Sequence, residues 1–212
     1  FVLFIVIARQ TIGPFSQLNV AFVQLHQMLG ASRRVLEILH TVPTIQDGSE
    51  EAAPLQRTLA LHNVTFSYRP GTPVLRGISL EIHQGEVLAL VGPSGAGKST
   101  LADLLLRFHD PETGTVTWDG TDIRRFQQQS YRRHFGVVPQ EPTLFNASVE
   151  ENIAYGRKID PADVERSAGI ANAADFVARM SEGYKTVVGD RGMRLSGGQR
   201  QRLAIARALY GR

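Results

Sequence analysis

The stretch LALVGPSGAGKSTLADLL, Leu88 to Leu105, leaves a 212-residue chain few ways to fold. Val87 to Val91 is a continuous apolar run, the pattern of a strand covered on both faces, and KSTLADLLLRF beyond the glycines has a helical composition. Between them, Gly92-Pro93-Ser94-Gly95-Ala96-Gly97-Lys98-Ser99 fits G-x-x-x-x-G-K-[ST] in the context that motif needs: strand, loop, helix. Glycines let the backbone turn tightly enough to aim successive N–H groups at phosphate oxygens, and the helix adds the positive end of its dipole. In such a cradle Lys98 pairs with the β and γ phosphates of a nucleotide, the Ser99 hydroxyl ligates Mg²⁺, and Thr100 adds a contact near the α phosphate.

Hydrolysis asks for more than the cradle. Mg²⁺ needs a second, acidic ligand at the end of another buried strand, and a group must orient the attacking water. Asp119 follows Trp118 in a hairpin that ends in glycine, and Asp190 follows TVVG in a loop, so neither meets the requirement. The expectation is a chain that binds nucleotide poorly at best and does not hydrolyse it.

Composition removes other chemistries. With 23 basic against 20 acidic side chains, the net charge of +3 provides no field that would gather nucleic acid. The absence of cysteine excludes disulfides, thiolate nucleophiles and zinc-thiolate sites. Six histidines are scattered without i, i+4 pairing, which suggests no metal cluster. Arg200, Arg202 and Arg207 lie on one short helix without interleaved aromatics and read as a solvated face. Asn63-Val64-Thr65 and Asn146-Ala147-Ser148 match the glycosylation pattern but read as plain structural residues.

Along the chain, the apolar run FVLFIVIA is too short to span a bilayer and reads as a buried helix or the last part of a membrane span. After a break at Gly13-Pro14, Phe15, Leu18, Phe22, Leu25, Leu29, Leu36 and Leu39 make a heptad stripe, with Ser32 filling its one gap. That helix is expected to end before Pro43, and TIQDGSEEAAPLQRT reads as a linker with few groups able to pack. The expected division is 1–42, helix; 43–58, linker; 59–212, globular domain. From Leu59, LALHNVTFSY, LRGISLEI and GTVTWDG alternate as strands, the last ending in an Asp-Gly turn. RRHFGVVPQ reads as a second buried strand, and Pro161 to Met180 as short helices.

A second constellation narrows the class. In LSGGQRQRLAIARAL, Leu195 to Leu209, Ser196 is a plausible N-cap for a helix starting at two glycines and turning Leu203, Ala206 and Leu209 inward. Its hydroxyl, the glycine N–H groups and the helix N-terminus make a second anion site. Here the chain resembles the ATP-binding domains of ABC transporters from Leu59 onward. The motifs come in that family's order: FSYRPG with Tyr68, GPSGAGKST, VVPQEPTLFNASVEENI with Gln140, VGDRG, and LSGGQ.

The resemblance implies an α/β P-loop NTPase fold with an antiparallel β subdomain and a helical subdomain carrying the signature, preceded by the end of a transmembrane-domain helix. It implies ATP and Mg²⁺ as ligands, with Tyr68 stacked on adenine, Gly92 to Thr100 around the phosphates, and Ser99 and Gln140 at the metal. Gln140 would touch Mg²⁺ or the attacking water, while Ser196, Gly197, Gly198 and Gln199 would serve the nucleotide held by a second copy. VGDRG, LFNASVEENI and the leading helix look like exporters in which a membrane domain is fused to the ATPase. The implied partners are a second half-transporter, the chain's own membrane domain, and a lipid, drug or peptide cargo, with no nucleic acid. The implied location is a membrane, the bacterial inner membrane, with the ATP-binding domain in the cytoplasm. No catalytic carboxylate matches within the chain: the acidic strand, its glutamate and the switch histidine would follow Arg212, and six membrane helices would precede Phe1. A soluble ABC-type ATPase of DNA repair or translation, or a non-hydrolysing nucleotide-binding module, are the alternatives.

Overall fold

The computed structural model describes residues 1–211, without the side chains of 8–18 and Ala31. It divides into two compact units, Phe1–Gln46 and Asp47–Arg212.

The first unit is one helix, α1 (Val2–Leu39), continuous through residues 13–14 where a break was expected. A proline removes one hydrogen bond from a helix, which can bend it without ending it. The helix does stop ahead of Pro43, with His40 as its C-cap. Phe22, Leu25, Leu29, Leu36 and Leu39 of the heptad stripe are exposed, as are Phe1 to Ile7, so this unit buries none of them itself. Phe15 and Leu18 lie outside the described side chains. Among the described residues no helix is long and apolar enough to cross a membrane.

The second unit is built around a four-stranded antiparallel sheet in the order β2-β1-β3-β4, from β1 (Thr58–Phe66), β2 (Leu75–His83), β3 (Thr113–Trp118) and β4 (Thr121–Asp122). Alternation sets its faces: Leu59, Leu61, Val64, Phe66, Val116 and Trp118 turn into the core, while His62 and Glu81 face outward. The Asp-Gly turn joins β3 to β4 as expected, with Asp119 at φ 52 and Gly120 at φ 85, the two positive angles that a tight type I′ hairpin requires. Asn63, at φ 49, sits in a register shift of β1, a structural duty in line with the reading of that tripeptide.

Against this sheet packs α2 (Lys98–Leu105), through Leu101 and Leu104, followed by α3 (Gln128–Arg132). A second core is helical. It gathers α4 (Val149–Ile153), α5 (Pro161–Ile170), α6 (Ala174–Val177) and α7 (Gly197–Leu209) around Val149, Val164, Val177 and Leu203.

Two differences from the sequence reading have physical causes. The segment taken for a loose linker is packed from Asp47 onward. Ala52 is 1% exposed, Ala53 O accepts from Trp118 Nε1 at 2.9 Å, and Glu50 pairs with Phe126 in a parallel bridge. Polar composition hid this, because the packing uses the segment's backbone and small side chains. Conversely, Val87–Val91 and the segment around Val137 and Val138 are not strands. Val87 is 96% and Val91 91% exposed. An apolar run becomes a doubly covered strand only when neighbours bond both its edges, and among the described residues no strand lies alongside either segment.

Candidate functional site

The glycine loop enters α2 through Gly97, whose φ of 91 is left-handed and whose missing side chain matters twice. A Cβ there would come within 2.8 Å of Leu75 Cδ2, so the loop lies directly on β2. The first amides of a helix, here Lys98, Ser99 and Thr100, have no carbonyl of their own helix to donate to and remain available to an anion. Lys98 Nζ donates to Gly92 O at 2.8 Å and Pro93 O at 2.7 Å, which holds its positive charge over the loop. Gly92, Pro93, Ser94, Gly95 and Ala96 form the loop itself, closed by Ala96 N donating to Pro93 O. Thr100 is buried beneath it.

Tyr68 stands beside this cradle. Its hydroxyl donates towards Thr100 Oγ1 at 3.2 Å, and its ring meets Phe66 and His109 nearly at right angles, with centroids 5.0 and 5.3 Å away. Tyr68 as a whole remains 53% exposed, leaving surface for a flat partner to stack on. Tyr68 and Thr100, 32 residues apart, are thus joined directly.

At the signature, Ser196 is the N-cap of α7 in a complete capping box with Gln199, followed by Gly197 and Gly198 in the first turn. Leu203 and Ala206 turn inward as the periodicity required, and Leu209 is half-buried. Gln140 lines a cavity of about 730 Å³ together with Gly197, Arg200 and Arg191. The VGDRG turn, with Arg191 at φ 49 and Gly192 at φ 69, forms part of the same wall. It is fastened to the α4 entry by Val188 N donating to Ala147 O and Val149 N to Thr186 O, both at 3.1 Å. Ser148, in the second glycosylation-like tripeptide, caps α4 through its own capping box with Glu151.

The arginines of α7 are not the solvated face the sequence suggested. Arg207 lies over the stacked rings of Phe145 and Tyr155, donates to Asn152 O and Thr143 O, and has its pKa pushed down by burial. Arg202 stacks on Phe176, and Arg200 donates to Leu195 O. Long arginine stems pack like apolar groups while their heads find carbonyls, a capacity that charge patterning alone does not reveal.

Neither candidate carboxylate ends a buried strand. Asp119 accepts from the backbone N–H of Gln56, Arg57 and Thr58 at 2.7 to 2.9 Å, and Asp190 opens a short 3₁₀ turn, Asp190–Gly192. Among the described residues no three His, Asp or Glu side chains come together as a metal site. Ser99 and Gln140 could give Mg²⁺ only neutral oxygens, so the remaining ligands would be phosphate and water.

The family model described as ABC transporter matches residues 75–212. The chain is 44% identical over 209 residues to the heterocyst differentiation ATP-binding protein HepA of Nostoc sp., covering 97% of this chain and 34% of that protein. It is 43% identical over 213 residues to an ATP-dependent lipid A-core flippase of Thiobacillus denitrificans, covering 99% and 37%. Among solved structures, a bacterial Atm1-family ABC exporter with ATP bound superposes with a TM-score of 0.81 at 42% identity, covering 87% of this chain and 33% of the other. The chain therefore spans about a third of the length of the relatives it matches.

Proposed function

This chain belongs to the ABC transporter family, and on that premise we propose that it is the ATP-binding part of a membrane exporter, working as one of a pair. Gly92 to Thr100 hold the phosphates of MgATP, and Tyr68 carries the adenine. Ser99 and Gln140 hold Mg²⁺, while Ser196 to Gln199 contact the nucleotide bound to the partner copy. Bound Mg²⁺ would neutralise charge building on the β and γ oxygens. Closure of two copies on ATP favours one arrangement of the membrane part and reopening favours the other, so differential binding to two states moves a lipid, drug or peptide. The assembly would sit in a bacterial inner membrane with its ATP-binding domains in the cytoplasm, residues 1–42 continuing from the membrane part and 43–58 leading into the domain.

The observation that carries this reading is the hydrogen bond from Tyr68 to Thr100, which sets an exposed aromatic face against the phosphate loop. Isothermal titration of the 212-residue chain with MgATP, beside its Lys98→Ala variant, tests it. Saturable binding that the variant loses is expected. Equal heats from both proteins, or none from the wild type, would overturn it. Because Asp119 is spent on backbone amides and Asp190 sits in a short 3₁₀ turn rather than at the end of a buried strand, the chain alone should release no phosphate from ATP, and Mg²⁺-dependent turnover would contradict that part.

A further inference from the structure

We propose that Asp103, on the second turn of α2, is a positioning residue that holds Tyr68 as the platform for the nucleotide's base. The proposal rests on the nucleotide reading given above and deepens it.

Tyr68 lies just beyond the end of β1, outside the sheet's hydrogen-bond ladder, so side-chain contacts must fix its ring. Two are edge-on aromatic contacts. Phe66, at the end of β1, meets the ring at 85°, and His109, past the end of α2, at 89°. The third is polar: the phenol O–H is shared between Thr100 Oγ1 at 3.2 Å and Asp103 Oδ2 at 3.4 Å. Perpendicular rings limit tilt but leave the ring free to slide in its own plane, and the hydroxyl tether removes that freedom.

The two acceptors are not equivalent. Thr100 is buried at the base of the phosphate loop, and its hydroxyl is the group a bound phosphate would draw upon. Asp103 is half-buried, touches no part of the loop's own hydrogen bonding, and offers a charged acceptor that a phosphate would not claim. With nucleotide present, the tyrosine O–H therefore donates its hydrogen bond to Asp103 Oδ2. The phosphate cradle and the base platform become two ends of one helix turn.

The test is calorimetric titration of the 212-residue chain with MgATP and, separately, with inorganic tripolyphosphate and Mg²⁺, which offers the phosphates without a base. Asp103→Ala should weaken MgATP about fivefold, as expected for one lost hydrogen bond, and leave tripolyphosphate no weaker. Asp103→Asn carries the same charge change but keeps an acceptor oxygen, and should restore most of the MgATP affinity. Tyr68→Phe, which removes only the donor, should reproduce the alanine pattern without adding to it in the double variant. An Asp103→Ala protein that loses both ligands equally, or neither, would overturn the proposal while leaving the nucleotide reading of the wild type standing. A wild type that binds tripolyphosphate but gains nothing from the base would do the same, whereas one that binds neither would remove the nucleotide reading as well.

Discussion

Ser196 and Gln199 satisfy each other: Ser196 N donates to Gln199 Oε1 at 2.8 Å, and Gln199 N donates to Ser196 Oγ at 3.3 Å. The reciprocal pair fixes both side chains at the N-terminus of α7, yet the serine hydroxyl proton and the glutamine NH₂ remain free to donate outward. On the proposed reading, in which these residues meet a phosphate held by a second copy, the pair makes the site rigid before that copy arrives.

Ser196→Ala should therefore show two separable losses. Removing the cap costs about 1 kcal/mol of stability, visible in a urea titration of the isolated chain. Removing the outward donor should also weaken ATP-dependent self-association in sedimentation. Ser196→Asp distinguishes the two, since aspartate still caps but repels phosphate: stability should return and association should not.

Gly97→Ala should damage the phosphate loop more than a methyl group suggests. The residue is left-handed at φ 91, and the new Cβ would lie 2.8 Å from Leu75 Cδ2. The strained angle costs roughly 1 kcal/mol, and the clash is relieved by rotation of the Leu75 side chain within the core or by a shift of the loop. MgATP affinity should fall well beyond what the melting temperature predicts. Gly95→Ala, whose Cβ would meet nothing within 4 Å, should carry only the cost of its own positive φ.

How much of this was legible beforehand depended on whether local pattern or neighbours decide the outcome. The loop from Gly92 to Ser99, the Asp119-Gly120 hairpin and the Ser196 cap could be read directly, because each is fixed by residues a few positions apart. Val87–Val91 could not, since a buried strand is defined by partners lying elsewhere in the chain. Arg207 and Ala52 were missed for a related reason. An arginine over two aromatic rings and an alanine buried in a polar stretch depend on contacts from distant residues, and composition records only their average behaviour. Tyr68 was identified by motif, but its tether to Thr100 and Asp103 needed the structure, because helix and tyrosine are 32 and 35 residues apart.

Asp119 makes acid stability testable. Burial acts to raise its pKa, but the amides of Gln56, Thr58 and Arg57, helped by the Arg57 charge, together hold it below the usual carboxylate value. A carboxyl whose folded pKa is depressed binds fewer protons folded than unfolded. Its contribution is complete above the unfolded value, near 4, and is lost as pH falls through the lower folded value. Asp119→Asn, which keeps the left-handed turn tolerable, should reduce stability at pH 7 and flatten its decline between about pH 5 and 3. An unchanged slope in urea midpoints measured across that range would show that the carboxylate carries no such linkage.

Arg107 joins the end of the phosphate-loop helix to the rest of its unit. Only 2% exposed, it donates from Nη1 to Ile123 O at 3.1 Å and Phe126 O at 2.9 Å, and from Nε to Asp110 Oδ1 at 3.3 Å. Arg132 and Tyr131 of α3 approach the same helix end, donating to Leu106 O and Leu105 O at 3.1 and 2.7 Å. Replacing Arg107 by alanine would take one donor each from Ile123 O and Phe126 O, which keep the amides of Phe126 and Gly48, would remove the partner of Asp110 and would empty a buried site, at a cost of about 3 kcal/mol. Its backbone, however, is left-handed at φ 54, a conformation alanine dislikes as much as arginine does. Arg107→Gly should therefore be less harmful than Arg107→Ala by roughly 1 kcal/mol, the reverse of the order expected at an ordinary helical position. Urea denaturation of both variants reads the difference, and an alanine variant more stable than the glycine one would mean that the backbone there relaxes once the guanidinium is gone.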